Sequence, residues 1–177
     1  ANLWYFAREG LGVHGLEGSE AGAAQARQRL DAELPGWNRG DADRLRVGDM
    51  CDPLPWADNH FDAVIDNDAV TCVDHDSACR VYAQMHRVAR PGGWLYVRTP
   101  AAGTWGDGTG EAHGHNAWCC SEGPFAGTGV VRFASEADLT ALFKPWKVLQ
   151  IEQVSRSMEN RSKVHAEWVI IARKAQA

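Results

Sequence analysis

Acidic side chains stand at three places where an apolar segment of the sequence gives way to a polar one. Glu17 follows the first of these segments, Asp49 follows the second, and Asp66 ends the third. In sheets built from parallel strands, ligands bind in the crevice outside the carboxyl ends of the strands. These three carboxylates are therefore the first candidates for a binding site.

Glu17 and the residue after it suit the recognition of a ribose. A carboxylate in this position can accept hydrogen bonds from both ribose hydroxyls, and Gly18 lets the backbone approach the ligand. The alternative is a solvated carboxylate near the N-terminus of a helix, where the helix dipole stabilises negative charge. Position alone leaves both interpretations open.

Asp49 lies just beyond the next predicted strand. Its carboxylate can accept a hydrogen bond from the exocyclic amine of an adenine while Met50 covers the ring. The alternative is an aspartate that only forms a turn. The presence of Glu17 at the preceding strand end favours the binding interpretation.

Residues 101–131 form a glycine-rich segment without clear periodicity. A loop of this length inside a compact domain is typically a lid or a binding loop, or else is disordered. Its aromatic side chains suit a cover for an organic substrate, with packing onto the sheet as the alternative. They are Trp105, Trp118 and Phe125.

The same segment holds His113 and His115, followed by the adjacent pair Cys119 and Cys120. Structural zinc sites space their ligands differently. The sequence therefore predicts no metal site, and the two histidines remain candidates for facing a substrate.

The elements that must position these residues follow the order helix, strand, helix, strand, strand, helix, strand, glycine-rich segment, helix, strand, strand. Such alternation predicts an α/β fold, a mostly parallel sheet with helices on both faces in three layers. The last two strands, 147–155 and 165–173, are predicted to be antiparallel neighbours joined by a polar turn at Asn160. Residues 1–177 are the size of one domain.

Three helix starts can be placed from capping residues. Helices are predicted to begin at Ser19 or Glu20, at Asp74 or Asp76, and at Ser135. The last of these has an acidic residue three positions later, which is a variant of the capping box.

Composition argues against several classes of protein. The formal net charge of −5 and the pI near 5.8 give no electrostatic reason to expect a nucleic-acid partner. No apolar run approaches the roughly 18 residues of a membrane span. The five cysteines are odd in number and lack a CxxC pair, which suits the reduced thiols of a cytoplasmic protein.

Three segments resemble class I S-adenosylmethionine-dependent methyltransferases of the small-molecule type: VHGLEGSE at 13–20, VGDMCDPLPWADNHFDAVIDNDAV at 47–70 and HRVARPGGWLYVRTP at 86–100. The last two are the more specific, because that family also places Leu-Pro-Trp/Phe, then Phe-Asp-x-Val, then a helix closing on Arg-Pro-Gly-Gly after an Asp-containing turn. The resemblance implies a Rossmann-like sheet with an antiparallel last strand, and S-adenosylmethionine as cofactor.

Carried over residue by residue, the resemblance also implies which positions contact this cofactor. Glu17 with Gly18 falls on the ribose, and Asp49 with Met50 and Cys51 falls on the adenine. Asp66 with Asn67 falls where the backbone receives the methionine amine.

Methyl transfer mainly requires that donor and acceptor are aligned and that water is excluded. A general base is needed only where the acceptor must lose a proton. His75 is the candidate base on the acceptor side, with Asp68 as a possible orienting group. The alternative for His75 is a helix-capping or surface histidine. The acceptor is expected to be a small molecule.

The sequence departs from this family at its start. The acidic residue and GxGxG motif of the first strand would precede Ala1, so we expect an N-terminally incomplete methyltransferase. Two alternatives remain open. One is an NAD-dependent oxidoreductase, in which Glu17 would also bind ribose, although no Tyr-x-x-x-Lys pair is present. The other is a non-catalytic nucleotide-binding relative that lost the glycine loop.

Overall fold

A computed structural model describes residues 2–41 and 43–176. Ala1, Ala42 and Ala177 lie outside the described residues. The chain divides into two compact units, and the division falls between Asp52 and Pro53. None of the helices in the described part of the chain has both the length and the apolar character that a membrane span requires.

The first unit places two helices around a pair of short parallel strands: α1 (Asn2–Arg8), β1 (Gly15–Glu17), α2 (Glu20–Glu33) and β2 (Leu45–Val47). The predicted capping residue Ser19 begins α2, since its side chain accepts a hydrogen bond from the backbone N–H of Gly22. The cap fixes the turn that leads from the end of β1 into α2.

The second unit is built on a four-stranded mixed sheet with the order β3-β4-β9-β8. Strands β3 and β4 are parallel, and β9 is antiparallel to both β4 and β8. The elements of this unit are β3 (Phe61–Asn67), α3 (His75–Val88), β4 (Ala89–Pro100), β5 (Glu111–Ala112), β6 (Ala117–Cys119), β7 (Val130–Arg132), α4 (Glu136–Leu142), β8 (Lys147–Met158) and β9 (Lys163–Arg173).

The predicted antiparallel pair at the end of the chain is confirmed as β8 and β9. Asn160 lies in the turn between them with a φ of 52°, a left-handed conformation that asparagine tolerates better than most residues. Both strands are longer than the alternating pattern indicates. They pair from Lys147 opposite Arg173 to Met158 opposite Lys163.

Helix α3 anchors the crossover between the parallel strands β3 and β4. It contacts β4, whose alternate residues Leu95 and Val97 are fully buried. On the helix, Val81 and Tyr82 are buried as well. This packing fixes the end of β3 and the start of α3, the region where the sequence places its candidate catalytic residues.

Residues 101–131 contain regular structure that the sequence does not predict. Strands β5, β6 and β7 form a small antiparallel sheet. Each strand is only two or three residues long, too short to show a recognisable period of two. The segment is tightly folded, because a Cβ on Gly110 would lie 2.1 Å from the carbonyl oxygen of Cys119, and one on Gly123 would lie 2.3 Å from that of Trp105.

The capping box at α4 gives a first testable prediction. The Ser135 side chain accepts from the Asp138 N–H, and the Asp138 carboxylate accepts from the Ser135 N–H at 2.8 Å. Ser135→Ala should lower the free energy of unfolding by about 1 kcal/mol in urea denaturation. Thr140→Ala, at an exposed position of the same helix, should change it by less than about 0.5 kcal/mol. Equal effects of the two substitutions would contradict the capping role.

Candidate functional site

Glu17 and Asp49 lie at the carboxyl ends of the neighbouring strands β1 and β2. Glu17 is paired with Val47, and its carbonyl oxygen accepts a hydrogen bond from the Gly48 N–H at 3.0 Å. Asp49 therefore follows two residues beyond the partner of Glu17. The strand register brings the two predicted cofactor residues to the same edge of this unit.

Local hydrogen bonds hold both carboxylates in place. Glu17 Oε1 accepts from the Ser19 N–H at 3.1 Å, and Asp49 Oδ1 accepts from the Cys51 N–H at 2.8 Å. A Cβ on Gly22 would lie 3.1 Å from the Glu17 carboxylate, so the first turn of α2 packs closely against it. The carboxylates of Glu17 and Asp49 are therefore both held by the backbone of the residues that follow them.

The residues around these carboxylates fit a nucleoside. Gly18 is exposed, and a Cβ there would meet no atom of the described chain within 4 Å, so this side of the turn is open to a ligand. Met50 is half-buried next to the exposed Asp49 and Cys51. This unit thus has a carboxylate, Glu17, that suits the hydroxyls of a ribose. Its second carboxylate, Asp49, has the apolar Met50 beside it and suits a base.

Asp66, at the end of β3, directs its carboxylate into the protein core. The residue is 2% exposed. Its Oδ1 accepts from the N–H groups of Ala69 and Val70 at 2.9 and 3.2 Å, and its Oδ2 accepts from the Tyr82 hydroxyl at 2.8 Å. Burial raises its pKa above the ordinary value, although these hydrogen bonds and the charge of the fully buried Arg132 oppose the rise. The carboxylate therefore has a structural role, and Asn67 beside it is exposed.

Asp68 differs from Asp66 in both conformation and environment. Its φ of 61° is left-handed, and its N–H donates to the carbonyl oxygen of Arg98 at 3.0 Å. Its Oδ1 is buried and has no hydrogen-bond partner among residues 2–41 and 43–176. Burial, followed by the negative charge of Glu167, raises the pKa of Asp68 to about 6. Asp68 is thus a carboxylate that can take up a proton near neutral pH.

A small charged cavity lies at the same end of the sheet. Arg98 forms an ion pair with Glu167, and His165 Nε2 lies 3.5 Å from Glu167 Oε1. The cavity has a volume of about 210 Å³. It is lined by Arg98, Val154, Ser155, Arg156, His165 and Glu167. Because Arg98, Glu167 and His165 all act on the pKa of Asp68, the cavity and this carboxylate share one electrostatic environment.

His75 and His115 lie next to each other in the structure. Neither their spacing in the sequence nor the residues around them predict this contact. Their ring centroids are 5.1 Å apart, and His115 Nε2 lies 2.7 Å from Asp138 Oδ1. Burial raises the pKa of Asp138, but the hydrogen bonds it accepts from His115, Ser135 and its other neighbours outweigh burial and hold that pKa well below its usual range. The structure places the predicted site histidine His113 elsewhere, exposed and 3.8 Å from Glu111.

The predicted substrate-facing aromatic residues have packing partners. Trp118 and Phe125 lie against a buried cluster of Cys120, Val131 and Phe133. Both side chains are only partly buried by this contact, and their role toward a substrate stays a prediction.

Two of these aromatics also make polar or ring contacts. Phe125 stacks on the ring of His165 at a centroid distance of 5.8 Å, which places residues 101–131 next to the charged cavity. Trp105 donates from Nε1 to Glu122 at 2.9 Å, with the Lys163 ammonium 5.5 Å from its ring centroid.

Comparison with known families decides the class of protein. Residues 1–97 match the family described as "Methyltransferase domain". The chain belongs to this methyltransferase family. The match covers more than half of the sequence and includes the segments that carry Glu17, Asp49 and Asp66.

Solved structures show the Rossmann-like fold of these methyltransferases over nearly the whole chain. A SAM-dependent methyltransferase from Methanosarcina mazei is 18% identical with a TM-score of 0.70, over 98% of this chain and 86% of that one. The CcbJ methyltransferase from Streptomyces caelestis is 17% identical with a TM-score of 0.64, over 97% and 78%.

An S-adenosylmethionine-dependent methyltransferase from Mesorhizobium loti is 17% identical with a TM-score of 0.65, over 92% of this chain and 80% of that one. No curated protein gives a significant match. These likenesses establish the α/β fold that the sequence predicts.

Several polar residues of this methyltransferase could not be found from the sequence. Arg98, His165 and Glu167 each occupy an ordinary position in a strand, and their contacts depend on the pairing of β4 with β9. Asp138 is visible in the sequence only as a capping residue. One local signal is the acidic Glu167 in the otherwise apolar segment 166–172 of β9, since a glutamate is seldom buried without a partner.

Proposed function

We propose that this methyltransferase transfers the methyl group of S-adenosylmethionine to a small molecule with a hydroxyl acceptor. The observation that carries the acceptor class is Asp68, which has a buried, unpartnered carboxylate oxygen in the described chain and a pKa raised to about 6. A group of this kind suits an acceptor that must lose a proton, as a hydroxyl does.

The residues proposed to hold the cofactor are those that the resemblance to methyltransferases implies. Glu17 with Gly18 binds the ribose, and Asp49 binds the adenine amine beside Met50. When bound, S-adenosylmethionine supplies an electrophilic methyl group on its sulfonium. The family match favours this cofactor over NAD.

The residues of the chain then have three tasks. Asp68 accepts the proton of the acceptor hydroxyl, whose oxygen becomes the nucleophile. The ion pair of Arg98 with Glu167 and the ring nitrogens of His165 orient polar groups of the acceptor. The aromatic side chains of residues 101–131, with Phe125 beside His165, exclude water from the reacting atoms.

This assignment reverses the roles expected from the sequence. His75 was the expected base and Asp68 its orienting group. His75 is grouped with His115 and Asp138, whereas Asp68 stands beside the charged cavity. We therefore propose Asp68 as the base.

We propose that residues 1–177 act as one methyltransferase domain, with 101–131 as the segment that covers the acceptor. The partner of the protein is a small molecule, and neither a nucleic acid nor a membrane is a partner. The odd number of cysteines and the absence of a CxxC pair support a cytoplasmic location.

Glu17→Gln tests the cofactor assignment. Titration calorimetry of the full-length gene product with S-adenosylhomocysteine should show an affinity about 10–100-fold weaker than wild type, because hydrogen bonds to a charged acceptor contribute about 1.5–3 kcal/mol. Glu20→Gln, exposed in the adjacent helix, should leave the affinity unchanged. Tighter binding of NAD than of S-adenosylhomocysteine would instead favour an oxidoreductase, and binding of neither would favour a non-catalytic relative.

A further inference from the structure

Three potential metal ligands from separate elements converge beside the turn between β5 and β6. His75 is the first residue of α3, His115 lies in the turn, and Asp138 lies in the first turn of α4. One ligand atom from each residue lies within 4.8 Å of those of the other two. The cluster shares no residue with the lining of the cavity at Arg98.

The Asp138 carboxylate is held with one oxygen directed at this cluster. Its Oδ2 accepts from the Ser135 N–H and hydroxyl, each at 2.8 Å, and from Asn116 Nδ2 at 2.9 Å. Its Oδ1 lies 2.7 Å from His115 Nε2. Hydrogen bonds to the other oxygen of a carboxylate are the usual way in which proteins orient a metal ligand.

His75 has two ring nitrogens that are not committed to strong hydrogen bonds. Its Nδ1 is buried and has no partner in the described part of the chain. Its Nε2 has only the Cys79 Sγ nearby, at 3.7 Å, one helical turn along α3. A buried imidazole nitrogen without a partner is costly, and a bound cation would satisfy it.

We propose that His75, His115 and Asp138 bind a Zn²⁺ ion. Two imidazoles and one carboxylate form a donor set that zinc accepts with a fourth position open, whereas Ca²⁺ and Mg²⁺ select oxygen ligands. The His115 side chain is 58% exposed, so an ion can enter from solvent and the open position can hold water.

Zinc binding requires the three ligand atoms, which lie within 4.8 Å of one another, to adjust to the distances of a tetrahedral site. Two ligands bound to one tetrahedral zinc ion lie about 3.3 Å apart. His115 and Asp138 are 2.7 Å apart, so the exposed histidine has to withdraw by a few tenths of an ångström. The bound ion would fix the β5–β6 turn to the starts of α3 and α4.

The test compares zinc binding by reduced, EDTA-treated wild-type protein with that of three variants. A chromophoric chelator competes for the added Zn²⁺, and thermal unfolding is followed with and without the ion. Wild type should bind one tight equivalent per chain and gain thermal stability from it. His75→Ala and His115→Ala should bind at least about 10-fold more weakly and lose that gain. His113→Ala, exposed two residues from His115, should behave as wild type.

Circular dichroism of the variants shows whether each has folded, and the exposed position of His115 makes His115→Ala the safer of the two ligand variants. Every variant keeps all the cysteines, so zinc taken up by thiols elsewhere is common to the whole series. The proposal is overturned if folded His115→Ala binds zinc as tightly as wild type, or if His113→Ala weakens binding equally. Because the readouts are metal affinity and unfolding temperature, they do not depend on methyl transfer.

Discussion

Asp68→Asn is expected to lower kcat for methyl transfer to a hydroxyl acceptor by about 10²–10⁴-fold, because the amide cannot accept the proton of the acceptor. Asparagine has the same shape and tolerates the left-handed φ of 61° at this position, so the fold should be retained. The acceptor is found by screening small phenols and alcohols with wild-type enzyme, and the rate is followed as release of S-adenosylhomocysteine. Affinity for the cofactor should not change.

The pH dependence of the rate separates a base from a structural role. The pKa of Asp68 is raised to about 6, and the carboxylate accepts a proton only when it is ionised. The wild-type kcat/KM, which reports the ionisation of the free enzyme, should therefore fall as the pH decreases through about 6, and this acidic limb should be absent from the residual activity of Asp68→Asn.

Two further variants serve as controls for this prediction. Asp76→Asn, at an exposed position in the first turn of α3, should keep the wild-type rate and profile. His75→Ala tests the role expected from the sequence. If it removes the acidic limb and Asp68→Asn does not, then His75 is the base and the assignment of Asp68 is wrong.

The parts of this fold that depend on local signals could be predicted from the sequence. Ser19, Asp74 and Ser135 each cap the helix expected after them, because an N-cap needs only a side-chain oxygen and the next turn of backbone. The paired last strands also follow from alternation and a turn residue. Glu17 and Asp49 were recognisable as candidates because each follows a predicted strand, and the register of β1 and β2 places both at one edge.

The parts that depend on distant pairing could not be predicted. The ion pair of Arg98 with Glu167 forms only because β4 and β9 are neighbours in the sheet. Residues 75, 115 and 138 share no spacing pattern, so their convergence cannot be recognised in the sequence. The environment of a carboxylate cannot be predicted from the sequence either. Asp66 and Asp68 are only two residues apart, but Asp66 accepts hydrogen bonds in the core whereas Oδ1 of Asp68 has no partner in the described chain.

The second large effect is expected on stability, at Asp66. Asp66→Ala should lower the free energy of unfolding by about 3 kcal/mol or more, because it leaves the N–H groups of Ala69 and Val70 and the Tyr82 hydroxyl without their acceptor in the core. Each buried polar group that loses its partner costs about 1–3 kcal/mol. Urea denaturation followed by circular dichroism measures the change.

A graded series identifies which interaction of Asp66 is responsible. Tyr82→Phe removes one hydrogen bond and leaves the carboxylate in place, so it should cost only about 1 kcal/mol. Asp66→Asn keeps an oxygen acceptor but removes the negative charge near the fully buried Arg132, so its cost should lie between the other two. If Asp66→Ala costs no more than Tyr82→Phe, the carboxylate does not organise the backbone between β3 and α3. The end of β3, where the family resemblance implies that the backbone receives the methionine amine of the cofactor, would then be held by its pairing with β4 and by the packing of α3.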